Sequence, residues 1–147
     1  MSLTPAYDAE NIFAKIIRGE IPSVKLYETD DILAFMDVFP QSDGHCLVIH
    51  KRATATDLFD IDREMLASLM AGVQKIAGGV KDGLKPDGIR IVQFNGAPAG
   101  QTVFHLHFHI IPVYEGRALG AHAGGTPAEA SALEELADKI RSALLKA

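Results

Sequence analysis

Cysteine occurs once in the 147 residues, at Cys46, so no disulfide can close within the chain. A reducing compartment, the cytoplasm, is therefore expected. No apolar run reaches the ~18 residues of a membrane-spanning helix, and the first residues carry no signal-peptide pattern, so no membrane partner is expected. Basic residues are also in deficit. The 14 Lys and Arg against 19 Asp and Glu leave a net charge of -5, which offers a polyanion no general attraction. Nucleic acid is thus not expected as a partner, and any phosphate must be held by local groups. Repeats, low-complexity tracts and interdomain linkers are missing too. The length fits one domain spanning residues 1–147, and 48% hydrophobic residues can supply its core.

What the chain does have is a run of alternating histidines. In Gly100-Gln101-Thr102-Val103-Phe104-His105-Leu106-His107-Phe108-His109-Ile110-Ile111-Pro112, three imidazoles alternate with apolar side chains. Period two marks a strand, with His105, His107 and His109 on one face and Leu106, Phe108 and Ile110 turned into a core. Pro112, which cannot donate to a ladder, is expected to end it. A merely solvated face is one reading of such a row. A single three-histidine metal site is another, but outer residues ~13 Å apart on a strand cannot converge on one ion. Two of them with a ligand from elsewhere, such as His45, could form a zinc site. A third reading gives the row separate roles: a central nucleophile, with neighbours that hold and neutralise a phosphate.

The rest of the chain reads as short elements punctuated by turns. A first helix is expected after an Asp8 cap through Ile17, with Gly19 and Pro22 stopping it. Strands are expected at Val24–Glu28, Ile32–Asp37, His45–Ile49 and Ile89–Phe94. A longer helix is expected from Asp62 to Lys81, where Gly72, Gly78 and Gly79 weaken it and could admit a second helix at a dimer interface. Asn95-Gly96-Ala97-Pro98-Ala99-Gly100 could bring backbone N–H groups to an anion. Thr126-Pro127-Ala128-Glu129 reads as a capping box opening a last helix. Five strands and three helices joined by turns make an α+β domain with a five-stranded antiparallel sheet and flanking helices. Its core spans about 11–112, with a C-terminal helical extension at about 126–146.

His105-Leu106-His107-Phe108-His109-Ile110-Ile111 and its Gly100-Gln101-Thr102 lead-in resemble the histidine triad (HIT) family, over about Asn11 to Pro112. His109 keeps the last triad position, which the transferase branch replaces, so the chain resembles the hydrolase branch. That branch cleaves nucleoside phosphoramidates and dinucleoside polyphosphates. The strand exit departs from the family pattern: His50 stands where proline is usual, and Ala53 where histidine is frequent. His50 is therefore expected to be simply exposed, and His122 is assigned no role.

The resemblance implies a homodimer acting on a purine nucleotide at its α-phosphate. His107 would attack phosphorus to form a nucleotidyl-histidine that water then cleaves. Its other nitrogen should donate to a carbonyl oxygen that fixes the tautomer. His105 would help orient His107. His109 and His45 would hold the phosphate oxygens, with Gln101 and Thr102 donating to the phosphate or the leaving group. Asp37 would accept from the ribose hydroxyls. Ile12, Phe13, Ile16, Phe35, Met36 and Val38 would wall the base pocket without reading the base edge, and Asn95 is a weaker candidate contact. No cofactor or metal is required by this scheme. The rival readings are a nucleotide-binding module without turnover and the zinc site above.

Overall fold

The sheet of the computed structural model, which describes residues 2–146, has five strands in the order β1-β2-β3-β5-β4, every neighbouring pair antiparallel. In chain order the elements are α1 (Ile12–Ile17), β1 (Lys25–Glu28), β2 (Ile32–Met36), β3 (Cys46–His50), α2 (Arg63–Leu84), β4 (Gly88–Val92), a 3-10 turn (Ala97–Ala99), β5 (His107–Val113) and α3 (Ala130–Lys146). Fold class and element types match the sequence reading, and most boundaries lie within a few residues of it.

Alternation along the three central strands gives the sheet two unlike faces. Ile32, Ala34, Met36, Cys46, Val48, Phe108 and Ile110 turn to the face covered by α2 and α3, where they join Leu69, Val73, Ile76, Val80 and Ile140 in the main core. Leu33, Phe35, Leu47 and Ile49 turn to the other face and pack with Phe13 and Ile16 of α1. Register sets Leu47 opposite His109 and Ile49 opposite His107, so the histidines of β5 share that second face. The first face builds stability, and the second carries polar chemistry on an apolar floor.

Of the three glycines expected to admit a second helix, Gly72 and Gly79 meet the chain's own elements, while a Cβ on Gly78 would have nothing within 4 Å among the described residues. A Cβ on Gly72 would lie 3.0 Å from Ile32 of β2, and one on Gly79 would lie 2.6 Å from Leu144 of α3. At Gly83 it would lie 2.6 Å from the backbone oxygen of Lys139. Those small residues let α3 and the sheet approach α2.

Four other expectations shift. Asn11, not Asp8, caps α1, its side chain accepting the Ala14 N–H at 2.9 Å, while Asp8 closes the preceding turn by accepting from Glu10 N. Helix α3 starts at Ala130, so the Thr126 capping box is unused, because the Ala128 N–H is bonded to Val38 O and pins that stretch to the exit of β2. His105 lies in a bend before β5, its neighbour Leu106 donating its N–H to Ala55 O. Pro112 lies inside β5 and does not end it. The β3 partner already ends at Ile110 opposite Cys46, so proline's missing N–H costs no ladder bond there.

Candidate functional site

On the second face a cavity of about 340 Å³ opens between α1, the ends of β2 and β5, and the segment after β5. Ile12, Phe13, Ile16, Phe35 and Val38 wall it, and Asp37, Thr102, His107 and His109 give it polar groups. Period two explains the convergence of the polar set: residues 33, 35 and 37 share one side of β2 and its exit, and residues 107 and 109 share the same side of β5. Met36 borders the cavity, yet it is 1% exposed and packs in the opposite core, so it forms a rim rather than a wall.

His107 is held in one orientation. Its Nδ1 lies 2.7 Å from the backbone oxygen of His105, and a carbonyl can only accept, so Nδ1 carries the proton. Nε2 is then a bare lone pair. Phe13 stands edge-on against the ring at 4.9 Å. Burial pushes the imidazole down to about 4, against the carbonyl bond, which favours the charged form. At neutral pH the ring is therefore uncharged and nucleophilic at Nε2. The orienting group is the main chain of His105, not its imidazole. That ring faces away, with Nε2 donating to His50 O at 3.2 Å and Nδ1 accepting from the Tyr7 hydroxyl at 2.7 Å.

A proton chain fixes the third triad member. Gln41 N–H donates to His45 Nδ1 at 2.9 Å, which places the His45 proton on Nε2. That proton faces His109 Nδ1 at 2.9 Å, with an Asp37 carboxylate oxygen at 3.3 Å. His109 Nδ1 is thus an acceptor and its Nε2 a donor, and this Nε2 is buried with no partner among the described residues. An unmatched buried donor is costly unless a ligand satisfies it, and an anion does so best. Burial lowers the pKa of both His45 and His109, so the donor acts as a neutral imidazole. His45 is fully buried behind His109 and does not line the cavity, so it orders the donor instead of touching phosphate itself.

Asp37 completes the polar corner. One carboxylate oxygen accepts Phe39 N–H at 2.8 Å, and burial raises the group to about 6. A carboxylate offers about four acceptor positions, so capacity is left for hydroxyl donors from the cavity. Donor atoms of Asp37, His45 and His109 lie within 4.8 Å of one another, which is close enough to suggest a metal. In this arrangement His45 Nε2 is bonded to His109 Nδ1 at 2.9 Å. This set also contains one triad histidine, not the two expected for a zinc site with His45.

Other expected residues are spent on structure. The amide of Gln101 accepts Gly96 N–H at 2.8 Å and donates to Thr56 O at 2.7 Å and Val103 O at 3.2 Å, leaving nothing for a phosphate. Asn95 accepts from Leu58 N and from the Gln93 amide, outside the cavity. The glycine loop turns its N–H groups inward: Gly100 N donates to Ala97 O, and Gln101 N to Gly96 O. It is a scaffold for β5 rather than an anion nest. His50 is buried, with Nδ1 accepting from Arg52 N and Ala53 N. Its side chain shapes the strand exit while its carbonyl holds His105.

Two participants were not found from the sequence. Tyr7 reaches His105 across 98 positions. His122, from the glycine-bearing segment after β5, lines the cavity, with its ring centroid 5.5 Å from that of His109 and 4.6 Å from that of Phe94. Neither lies in a periodic stretch, and an isolated histidine between glycines carries no local signal.

Comparison with known proteins agrees with this arrangement. The model of the HIT domain family matches residues 18–116. The chain is 44% identical over 115 residues to the Protein hit of Bacillus subtilis, covering 77% of this chain and 79% of that one. It is 43% identical over 112 residues to the adenosine 5'-monophosphoramidase HNT1 of Saccharomyces cerevisiae, covering 76% and 68%. A solved Hit-like protein from Bartonella henselae superposes with a TM-score of 0.86 at 52% identity, covering 94% of this chain and 99% of that one. With the family model matched over residues 18–116, the chain belongs to the histidine triad (HIT) family.

Proposed function

We propose that the protein is a nucleotide hydrolase that cleaves purine nucleotide conjugates, phosphoramidates or dinucleoside polyphosphates, at the α-phosphate through a nucleotidyl-His107 intermediate. The observation that carries the reading is the bare Nε2 of His107, aligned by the His105 carbonyl beside the unmatched Nε2–H of His109. A phosphoryl group placed between them meets a nucleophile and a donor for its charged oxygens at once. Asp37 would accept from the ribose hydroxyls, the apolar wall from Ile12 to Val38 would hold the base by contact alone, and Thr102 would face the phosphate or the leaving group. Relatedness to adenosine 5'-monophosphoramidases supports this substrate class. Nothing in this scheme passes through a metal ion.

The same reading includes a homodimer and a cytoplasmic location. Strand β4 ends the sheet and exposes Ile91 at 43%, whereas at the opposite edge the Arg141 guanidinium donates to Lys25 O of β1. The open β4 edge is the one suited to pairing with a second copy. Among the described residues no helix is long and apolar enough to cross a membrane, and the lone thiol suits a reducing compartment. Turnover of adenosine 5'-phosphoramidate tests the activity. Release of AMP by the wild type, lost by orders of magnitude in His107→Ala with AMP binding kept, is expected. AMP binding without turnover in the wild type would leave a binding module.

A further inference from the structure

We propose that His122 is the general acid of the reaction, protonating the leaving group as His107 attacks; this rests on the nucleotidyl-transfer reading above. His122 belongs to neither the triad nor a regular element. Its Nε2 lies 2.6 Å from Gly100 O, and since a carbonyl only accepts, that nitrogen carries a proton. Its Nδ1 is buried without a partner among the described residues, on a side chain that lines the cavity with His107 and Thr102. One nitrogen is thus tethered to the loop before β5, and the other is available for chemistry.

The two neighbouring imidazoles cannot take this role. His107 is the nucleophile. The proton on His109 Nε2 is backed by His45, whose Nδ1 accepts from Gln41 N–H, a backbone amide that cannot pass a proton on, and whose Nε2 lies 3.3 Å from an Asp37 oxygen. Giving up that proton would leave an imidazolate, so His109 can hold an oxygen but cannot act as an acid. Protonated His122 has no such problem, because loss of the Nδ1 proton leaves a neutral ring with Nε2–H still on the carbonyl. Asp37 at the end of β2 and His107 and His109 on β5 line the same cavity, and the Phe94 ring is tilted against His122 with centroids 4.6 Å apart.

The step balances as follows. His107 Nε2 forms a bond to phosphorus, and the bond from phosphorus to the leaving nitrogen or oxygen breaks. The electron pair stays on the leaving atom, which takes the Nδ1 proton of His122. In the second half, water attacks phosphorus, His122 Nδ1 accepts the water proton, and the electron pair of the phosphorus–nitrogen bond returns to His107. The acid is thereby restored.

A leaving-group comparison tests the assignment. The probes are an adenosine 5'-alkylphosphoramidate, whose amine needs a proton, and the p-nitrophenyl ester of AMP, whose phenolate leaves without one. In His122→Phe, kcat on the alkylphosphoramidate is expected to fall about 100-fold, within the usual contribution of a general acid. The pre-steady-state burst of nitrophenolate, which reports attack by His107 alone, and the affinity for AMP should change less than about 3-fold, which also shows that the variant folds. His122→Gln, which keeps a polar side chain but no transferable proton, should follow the same pattern. Equal losses on both substrates in the step that releases the leaving group, or none on either, would overturn the role of His122 while leaving the His107 reading in place. A wild type that cleaves neither probe would overturn both.

Discussion

Burial of a neutral nucleophile should leave a thermodynamic trace that can be read without any substrate. An unfolded histidine titrates near ~6.5, while His107 in the folded chain is pushed to about 4 by burial. Between these values the unfolded chain binds more protons, so stability is present above the unfolded value and is lost as pH falls toward 4. At pH 4.5 the difference for this one group amounts to about 2–3 kcal/mol. Asp37 works in the opposite direction. Its folded value is raised to about 6, so the native state gains up to ~2 kcal/mol on acidification through the same window. His45 and His105, both lowered to about 4 by burial, add to the loss. The total is therefore a sum of opposed parts, and a difference isolates His107. Urea unfolding of the wild type and His107→Gln at pH 7 and pH 4.5 gives that difference. The wild type should lose about 2–3 kcal/mol more on acidification than the variant, whatever their stabilities at pH 7. Equal losses would mean that His107 is as easily protonated in the fold as in water, and the argument for a neutral nucleophile would fail.

Three further outcomes are expected. Asp37→Ala should weaken AMP binding by about 1.5–3 kcal/mol, and a 2′,3′-dideoxy nucleotide should lose affinity for the wild type with little further loss for the variant; additive losses in a titration would remove Asp37 from the ribose. In α2, Gly78→Ala meets nothing within 4 Å among the described residues and should stabilise by about 0.5–1 kcal/mol, whereas Gly83→Ala drives a Cβ to 2.6 Å from Lys139 O and should cost about 1–3 kcal/mol; thermal unfolding that ranks them the other way would refute the packing of α2 on α3. Equilibrium sedimentation at micromolar concentration should give a dimer that Ile91→Lys converts to monomer, and a wild-type monomer with normal turnover would end the β4-edge proposal.

Strand alternation made much of the site legible. The placement of Asp37, His107 and His109 on one face needs only period two and the antiparallel order, and α1's apolar residues fall where helical spacing puts them. The failures share a physical cause, which is that hydrogen-bond partners distant in sequence decide what a polar side chain can do. Gln101 and Asn95 have the right chemistry for a ligand, but Thr56 O, Gly96 N and Leu58 N claim them first. His50 stands alone in the sequence, where nothing signals burial, yet two backbone N–H groups from the next turn bond its Nδ1. His105 has the position of a triad member, but Tyr7 and His50 O use both its nitrogens, leaving its carbonyl as the active group. His122 arrives on a segment without periodicity, placed by a bond to Gly100 O that no local pattern encodes.

The central claim is that His107 becomes covalently bonded to phosphorus, and trapping that bond tests it most directly. Wild-type protein mixed with adenosine 5'-phosphoramidate and quenched within milliseconds into alkali, where a phosphorus–nitrogen bond to histidine resists hydrolysis, can be digested and its peptides weighed. Adenylate carried on His107, and absent from His107→Ala, is the result this account predicts. Adenylate on another residue, or turnover by His107→Ala near the wild-type rate, would contradict it.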